Sequence, residues 1–200
     1  ENWRRIVVKL GSSTLTHENG RLNIRLVENL VKVLSDIKNS GREVLIVSSG
    51  AIAMGLGKLN LGKKPNALGD KQACASIGQC ELMYVYDKYF SEYDHNVGQV
   101  LLTAEDFRHA QRKKNIANTI ESLIGFGVIP VINENDTVST SEILSIGDND
   151  NLAAQISICA VVELLVLLTD IRGLYTSDPN IDPDARFISL VEKLDAATLE

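Results

Sequence analysis

What this 200-residue chain has little of narrows its role before any motif is read. Its three cysteines, Cys74, Cys80 and Cys159, make no C-x-x-C pair. An odd count with wide gaps predicts buried free thiols in a reducing compartment rather than a disulfide framework. His17, His95 and His109 are scattered and spell no zinc constellation. No apolar run approaches the ~18 residues that would span a membrane, and no signal-peptide core follows Glu1 to Arg5. Positive charge is in deficit, with 20 Lys and Arg against 26 Asp and Glu. The net charge of −6 argues against a general nucleic-acid binder, which needs a basic face, although it leaves room for a local cationic site. Repeats and low-complexity segments are absent. A cytoplasmic protein with no nucleic-acid and no membrane partner is the expectation, and the lack of a first Met predicts a trimmed start.

What is there is a chain 44% apolar, enough for a sizeable core. Apolar runs at residues 4–10, 43–49, 97–103, 128–136 and 163–170 read as buried strands. Helical patterns lie between them at 22–39, 50–57, 70–93, 111–124 and 151–162, and residues 138–147 read as a short hairpin. In the first helix Leu22, Leu26, Leu30, Leu34 and Ile37 are expected on one face, with Gly41 as the stop. Tyr84, Tyr86 and Phe90 of the long helix are expected in the core. Strands apolar on both faces and alternating with helices predict an α/β fold with a mainly parallel sheet sandwiched by helices.

Ligands of such sheets sit at the carboxyl ends of strands. Here those ends carry Lys9-Leu10-Gly11-Ser12, Ser48-Ser49-Gly50-Ala51, Asn133-Glu134-Asn135-Asp136 and Thr169-Asp170. Lys9 closes an apolar strand where an unpaired ammonium is costly to bury. It either snorkels or is aimed at something negative. The "SSGAIAMG" stretch at 48–55 offers backbone N–H groups to an anion, or is only a tight strand–helix turn. "GDNDN" at 147–151 reads as a helix N-cap through Asp148 or Asn149, or as a site carboxylate that orients cations. It fails as an EF-hand, because Ala153 and Cys159 stand where Gly and Glu are needed. "GKLNLGKK" at 57–64 nearly spells a Walker A loop, but Lys64 replaces the hydroxyl residue and a helix precedes it, so an ordinary basic loop is expected. Ser49 lacks a G-x-S-x-G elbow and no histidine lies at a matching strand end, which argues against a triad nucleophile.

Taken in order, "VVKLGSS", "VLIVSSGAIAMG", "KQACASIGQ", "VGQVLLT", "VIPVINEND", "IGDNDNLAA" and "LLTDIRGLYTSDP" closely resemble the glutamate 5-kinase branch of the amino acid kinase family, from about residue 4 to 180. The resemblance implies a three-layer αβα sandwich. Residues 1–164 would be the glutamate-binding part and 165–200 the start of an incomplete nucleotide-binding part, since the family's later glycine-rich segment with a second lysine has no counterpart before Glu200. It implies ATP and Mg²⁺ as cofactors and phosphorylation of the glutamate γ-carboxylate, the first step of proline biosynthesis. Position by position, Lys9 resembles the family's phosphate-contacting lysine and Asp150 the aspartate that organises its catalytic lysines. Ser49, Gly50, Ala51, Asp136 and Asn149 resemble its glutamate-binding residues. Gly11, Ser12, Thr169 and Asp170, with Lys9, resemble its nucleotide site, and no residue falls to a metal.

On this reading Asp150 holds Lys9 by a charge-assisted bond. Asp136 suits the substrate α-ammonium, and Ser49 and Asn149 suit its carboxylates. A homo-oligomer and feedback inhibition by proline are further expectations that no residue here carries. The alternatives are another amino acid kinase, of acetylglutamate kinase or aspartokinase type, and a non-catalytic amino-acid sensor on the same fold. Asp136, a partner for a free α-amino group, argues against an acetylated substrate; a sensor could dispense with Lys9 and Asp150.

Overall fold

The computed structural model describes residues 3–17, 19, 21–139 and 149–192, and the chain divides into two units, Glu1–Leu168 and Thr169–Glu200. In the first, five strands build one sheet: β1 Arg5–Leu10, β2 Glu43–Ser48, β3 Val97–Leu102, β4 Ile129–Glu134 and β5 Leu164–Leu168. Their spatial order is β3-β4-β2-β1-β5, and every neighbouring pair is parallel. Parallel neighbours need long crossovers. These contain α1 Ser12–Leu15 (a single turn), α2 Ile24–Asn39, α3 Ala51–Lys58, α4 Leu68–Ser91, α5 Ala110–Gly125 and α6 Asn149–Cys159. A 3₁₀ turn, Ala104–Arg108, precedes α5. The chain winds from β1 outward to the edge strand β3, back into β4, and then across to β5 on the far side of β1. That reversal puts the switch-point crevice between the carboxyl ends of β2 and β4, with the end of β1 next to β2.

Alternation along β1 sorts the core into two layers. Ile6, Val8 and Leu10 pack with Val27, Val31 and Leu34 of α2 and Leu82, Tyr86 and Phe90 of α4. Val7 points the other way, into Leu45, Val47, Ile116 and Ile120, and Leu152 and Ile156 of α6. Arg5 and Lys9 share the parity of Val7 and so face the α5/α6 layer. The three-layer αβα sandwich expected from the sequence is present.

Local expectations need correction. The most buried residues of α2 are Val27, Val31, Leu34 and Ser35. Of the expected leucine face, Leu34 is buried and Leu22, Leu30 and Ile37 pack half-buried against the same core, so the expectation named one flank of the stripe and left out the valines at its centre. Tyr86 and Phe90 are fully buried while Tyr84 is exposed. Cys74 is buried, Cys159 half-buried and Cys80 exposed, so the thiols do not share one environment. Strands β4 and β5 stop at Glu134 and Leu168, which leaves Asp136, Thr169 and Asp170 beyond them. Most of the expected hairpin, residues 140–147, lies outside the described residues, as does Asp148.

Helices α3 and α4 meet backbone to backbone. A Cβ on Gly78 would sit 1.7 Å from the Ala51 carbonyl oxygen, and one on Gly55 would sit 1.9 Å from that of Cys74. Only glycine admits this approach. No helix among the described residues is long and apolar enough to cross a membrane.

The second unit holds a two-stranded antiparallel ribbon, β6 Leu174–Tyr175 with β7 Phe187–Ile188. The sequence shows only a turn-rich loop there. Tyr175 and Phe187 meet edge-on at 5.6 Å, and the Arg172 guanidinium lies 4.7 Å above the Phe187 ring.

Candidate active site

The end of β1 delivers Lys9 to the start of α6. Its Nζ lies 2.7 Å from Asp150 Oδ1, with the lysine side chain 12% exposed and the aspartate 51%. The pairing expected from the sequence is therefore formed. Asp150 is the only ion-pair partner of Lys9 among the described residues, so ammonium protons remain for another anion. Gly11 leaves space beside them, since a Cβ there would come 3.9 Å from Lys9 Nζ. Gly11 then caps the single turn α1, with Ser12 exposed at its start.

The next strand end is shaped by a glycine. Gly50 precedes α3 with φ +97°, a left-handed conformation that an L side chain adopts only with strain. This lets β2 turn at once into the helix. Ser49 and Gly50 are half-buried and Ala51 is buried. The first amides of α3 emerge here with no side-chain cap.

Beneath that turn lies a polar layer that the apolar pattern of the strands conceals. The buried Ser48 hydroxyl is hydrogen-bonded to the Tyr86 hydroxyl at 2.9 Å. Burial pushes the Tyr86 phenol far above its ordinary pKa, so it stays neutral, even though Ser48 pulls the other way. Asn149 Nδ2 donates to the Ser48 carbonyl at 3.0 Å, to Asn133 Oδ1 at 3.3 Å, and to Ser49 Oγ. Asn133 Oδ1 also accepts the Glu134 backbone N–H at 2.8 Å. Asn133 Nδ2 donates to Gln79 Oε1 at 2.9 Å, and Gln79 Nε2 donates in turn to Gln99 Oε1 at 3.3 Å.

The structure thus brings Lys9, Gly11, Ser49, Gly50, Ala51, Asn149 and Asp150 to one edge of the sheet. Asn149 stands at the first position of α6 but does not act as the expected cap. Its donor side is spent on the protein, and its Oδ1 is buried with no hydrogen-bond partner. It cannot therefore offer N–H groups to a substrate carboxylate without breaking these bonds. Asp136 lies in the turn after β4 and is buried. Thr169 and Asp170 open the second unit, where the Thr169 hydroxyl donates to Asp170 at 3.3 Å. Sequence reasoning missed Gln79 and Gln99, named Asn133 only as part of a polar strand end, and placed Tyr86 in the core without its hydrogen bond. The one available signal was an amide or hydroxyl side chain inside an otherwise apolar element.

The model of the family described as "Amino acid kinase family" matches residues 4–199. Over 194 residues the chain is 48% identical to the glutamate 5-kinase of Clostridium perfringens (strain 13 / Type A), covering 96% of this chain and 72% of that protein. Over 189 residues it is 52% identical to the glutamate 5-kinase of Carboxydothermus hydrogenoformans, covering 94% of this chain and 50% of that one. Among solved structures, an isopentenyl phosphate kinase superposes with a TM-score of 0.66 at 19% identity, over 95% of this chain and 81% of its own. The UMP kinase of Ureaplasma parvum superposes at 0.61 and 16% identity, over 100% of this chain and 85% of its own. At such identities these two speak for the fold alone.

Proposed function

The chain belongs to the amino acid kinase family, and from that premise we propose that the protein phosphorylates the γ-carboxylate of glutamate at the expense of ATP, the opening step toward proline. The observation that carries this reading is the half-satisfied Lys9–Asp150 pair at the end of β1. It gains weight from identities near one half to proteins named glutamate 5-kinase. The chain spans half the length of several of those relatives, so the activity proposed is that of the whole protein.

The chemistry asks little covalent work of the protein. A glutamate side chain, with an ordinary pKa of about 4.3, is already ionised at neutral pH, so no general base is needed. Its oxygen forms a bond to the γ-phosphorus while the bond to the ADP oxygen breaks. The obstacle is repulsion between the carboxylate and the phosphates, and the answer is fixed positive charge along the path of the moving group. Lys9 supplies it. Asp150 holds Lys9 in place by a charge-assisted bond. Gly11 and Ser12 border the room beside it for phosphate, and Thr169 and Asp170 serve the nucleotide. Asp136 faces the substrate α-ammonium, while the Ser49 hydroxyl and the Gly50 and Ala51 amides take a carboxylate at the α3 N-terminus.

Mg²⁺ belongs to this proposal as a companion of the nucleotide. No group of three His, Cys, Asp or Glu among the described residues could cage a metal ion, so no step is routed through it. A cytoplasmic location, a homo-oligomer and inhibition by proline rest on the family relationship.

The test is to offer the full-length protein ATP with glutamate, N-acetylglutamate or aspartate, and to trap the acyl phosphate with hydroxylamine. Hydroxamate from glutamate alone is the expected result. Preference for the acetylated substrate or for aspartate would transfer the protein to another branch of the family. No turnover with any of them would favour a sensor.

A further inference from the structure

Two groups of fixed polarity settle which way the buried amides point. The Glu134 backbone N–H can only donate, so the Asn133 atom 2.8 Å from it is oxygen. Asn133 Nδ2 is thereby turned to Gln79, and the Gln79 atom facing it must accept. The Ser48 carbonyl can only accept, so the Asn149 atom 3.0 Å from it is nitrogen. The same nitrogen faces Asn133 Oδ1. The polarity therefore runs one way, from Asn149 through Asn133 to Gln79, and it leaves over one buried atom, Asn149 Oδ1. Asn133 and Asn149 are 1% and 2% exposed, so neither can turn to water for a replacement bond.

We propose that Gln79 is a positioning residue for the acceptor amino acid. By accepting from Asn133 it reinforces the arrangement that the Glu134 N–H and Ser48 carbonyl set, with Asn149 Oδ1 left as an acceptor, and that oxygen takes an N–H of the substrate α-ammonium beside Asp136. This rests on the glutamate reading above and refines it, because it moves Asn149 from the carboxylate end of the substrate to its amino end. Gln79 sits next to Gly78, whose contact with Ala51 fixes α4 against the start of α3, so the amide is held on a rigid support. If its acceptor is lost, Asn133 Nδ2 is left buried without a partner. Any turn of Asn133 toward another acceptor then breaks its bond from the Glu134 N–H and withdraws one of the acceptors of Asn149, which is held by the Ser48 carbonyl and Ser49 alone and less firmly placed.

The experiment compares Gln79→Met with Gln79→Glu in the full-length protein. Methionine keeps the size and removes the acceptor; glutamate keeps the acceptor toward Asn133 but adds a charge and sets an oxygen against Gln99 Oε1, which the Gln99 amide meets by turning its nitrogen inward. Gln79→Met is expected to raise the glutamate KM about ten-fold, the value of one buried hydrogen bond, with kcat and the ATP KM within about two-fold. Gln79→Glu is expected to stay within about three-fold of the parent glutamate KM. If methionine is not tolerated, Gln79→Ala carries the same expectation without added bulk. An unchanged glutamate KM, a loss that falls equally on ATP, or equal loss in the glutamate and methionine variants overturns the relay while the function stands. A parent enzyme that does not phosphorylate glutamate overturns both.

Discussion

Arg5 and Lys9 stand four residues apart on one face of one strand, and their side chains are almost equally covered, at 13% and 12% exposure. They are treated in opposite ways. Arg5 is nearly saturated. Its Nε donates to Glu43 Oε2 at 2.7 Å, its Nη2 to Glu121 Oε2 at 3.1 Å, and its Nη1 to Glu121 and to the Ala160 carbonyl. The bonds to Glu121, ahead of those to Glu43, raise the Arg5 pKa further, while burial opposes them. Lys9 has a single acidic partner, itself half-exposed. A cation with nearly all its donors spent fastens β1 to β2 and α5. A cation with donors to spare, at the carboxyl end of that strand, is arranged to meet something that comes and goes.

The largest effect that would break or uphold this contrast comes from truncating each cation. Lys9→Ala is expected to lower kcat by about 100-fold or more, as loss of a single transition-state donor does elsewhere, while the melting temperature holds. Arg5→Ala is expected to do the reverse. Glu43 then keeps only Arg4, and Glu121 loses its Arg5 partner, which should remove about 1–2 kcal/mol of stability, with activity per folded molecule retained. Steady-state kinetics alongside thermal melts reads both, and an Arg5 variant that is stable but inactive would erase the distinction.

A smaller effect sharpens the Lys9 end. Asp150→Asn keeps the shape and removes the charge that holds the ammonium. We expect kcat to fall about ten-fold or more, with little change in stability because so exposed a pair contributes at most about 1 kcal/mol. A fall confined to the ATP KM would instead make Asp150 a nucleotide contact.

The smallest effect concerns acid. Hydrogen bonding to Arg5, the largest cause, lowers the Glu121 pKa below its ordinary 4.5, against some desolvation. A carboxylate lowered on folding adds stability that is fully present above its unfolded pKa and lost as pH falls through the folded one. The loss should therefore begin below about pH 4.5. Glu121 is half-exposed and screened, so the change in melting temperature attributable to it should not exceed about 2 °C. Melts between pH 5 and 3 are expected to be flatter for Arg5→Ala than for the parent by that amount. Parallel slopes would mean that the pair adds nothing.

How much of this was legible in the sequence follows from the range of each interaction. The parallel sheet was legible because β1, β2, β4 and β5 are apolar runs, and burial on both faces leaves that trace without any partner being known. Lys9 and Asp150 were legible because a charge at a strand end stands out against such a run. Strand ends were overdrawn at Asp136 and Asp170, since apolar pattern does not say where a ladder hydrogen bond stops. The α2 face was legible in part: Leu34 and the half-buried Leu22, Leu30 and Ile37 do meet the core, while Val27 and Val31 at the centre of the stripe were passed over because leucine identity was weighed above angular position. The Gln79–Asn133–Asn149 chain was invisible for a different reason: its members come from α4, β4 and α6, and an amide in an apolar segment does not name its partner. The Arg5 cluster was hidden likewise, as its carboxylates lie 38 and 116 residues away.

The glycine contacts between α3 and α4 bear on mechanics. With carbonyl groups where side chains would ordinarily lie, there is no cushion of rotamers to shear, and sliding one helix along the other would drive backbone into backbone. The two helices must travel as one stiff plate carrying the Ser49–Gly50 turn at its rim. Any tightening around a bound amino acid has to come from the opposite wall of the cleft. Amide protons along the α3–α4 seam should accordingly be among the slowest in the molecule to exchange, with or without ligand.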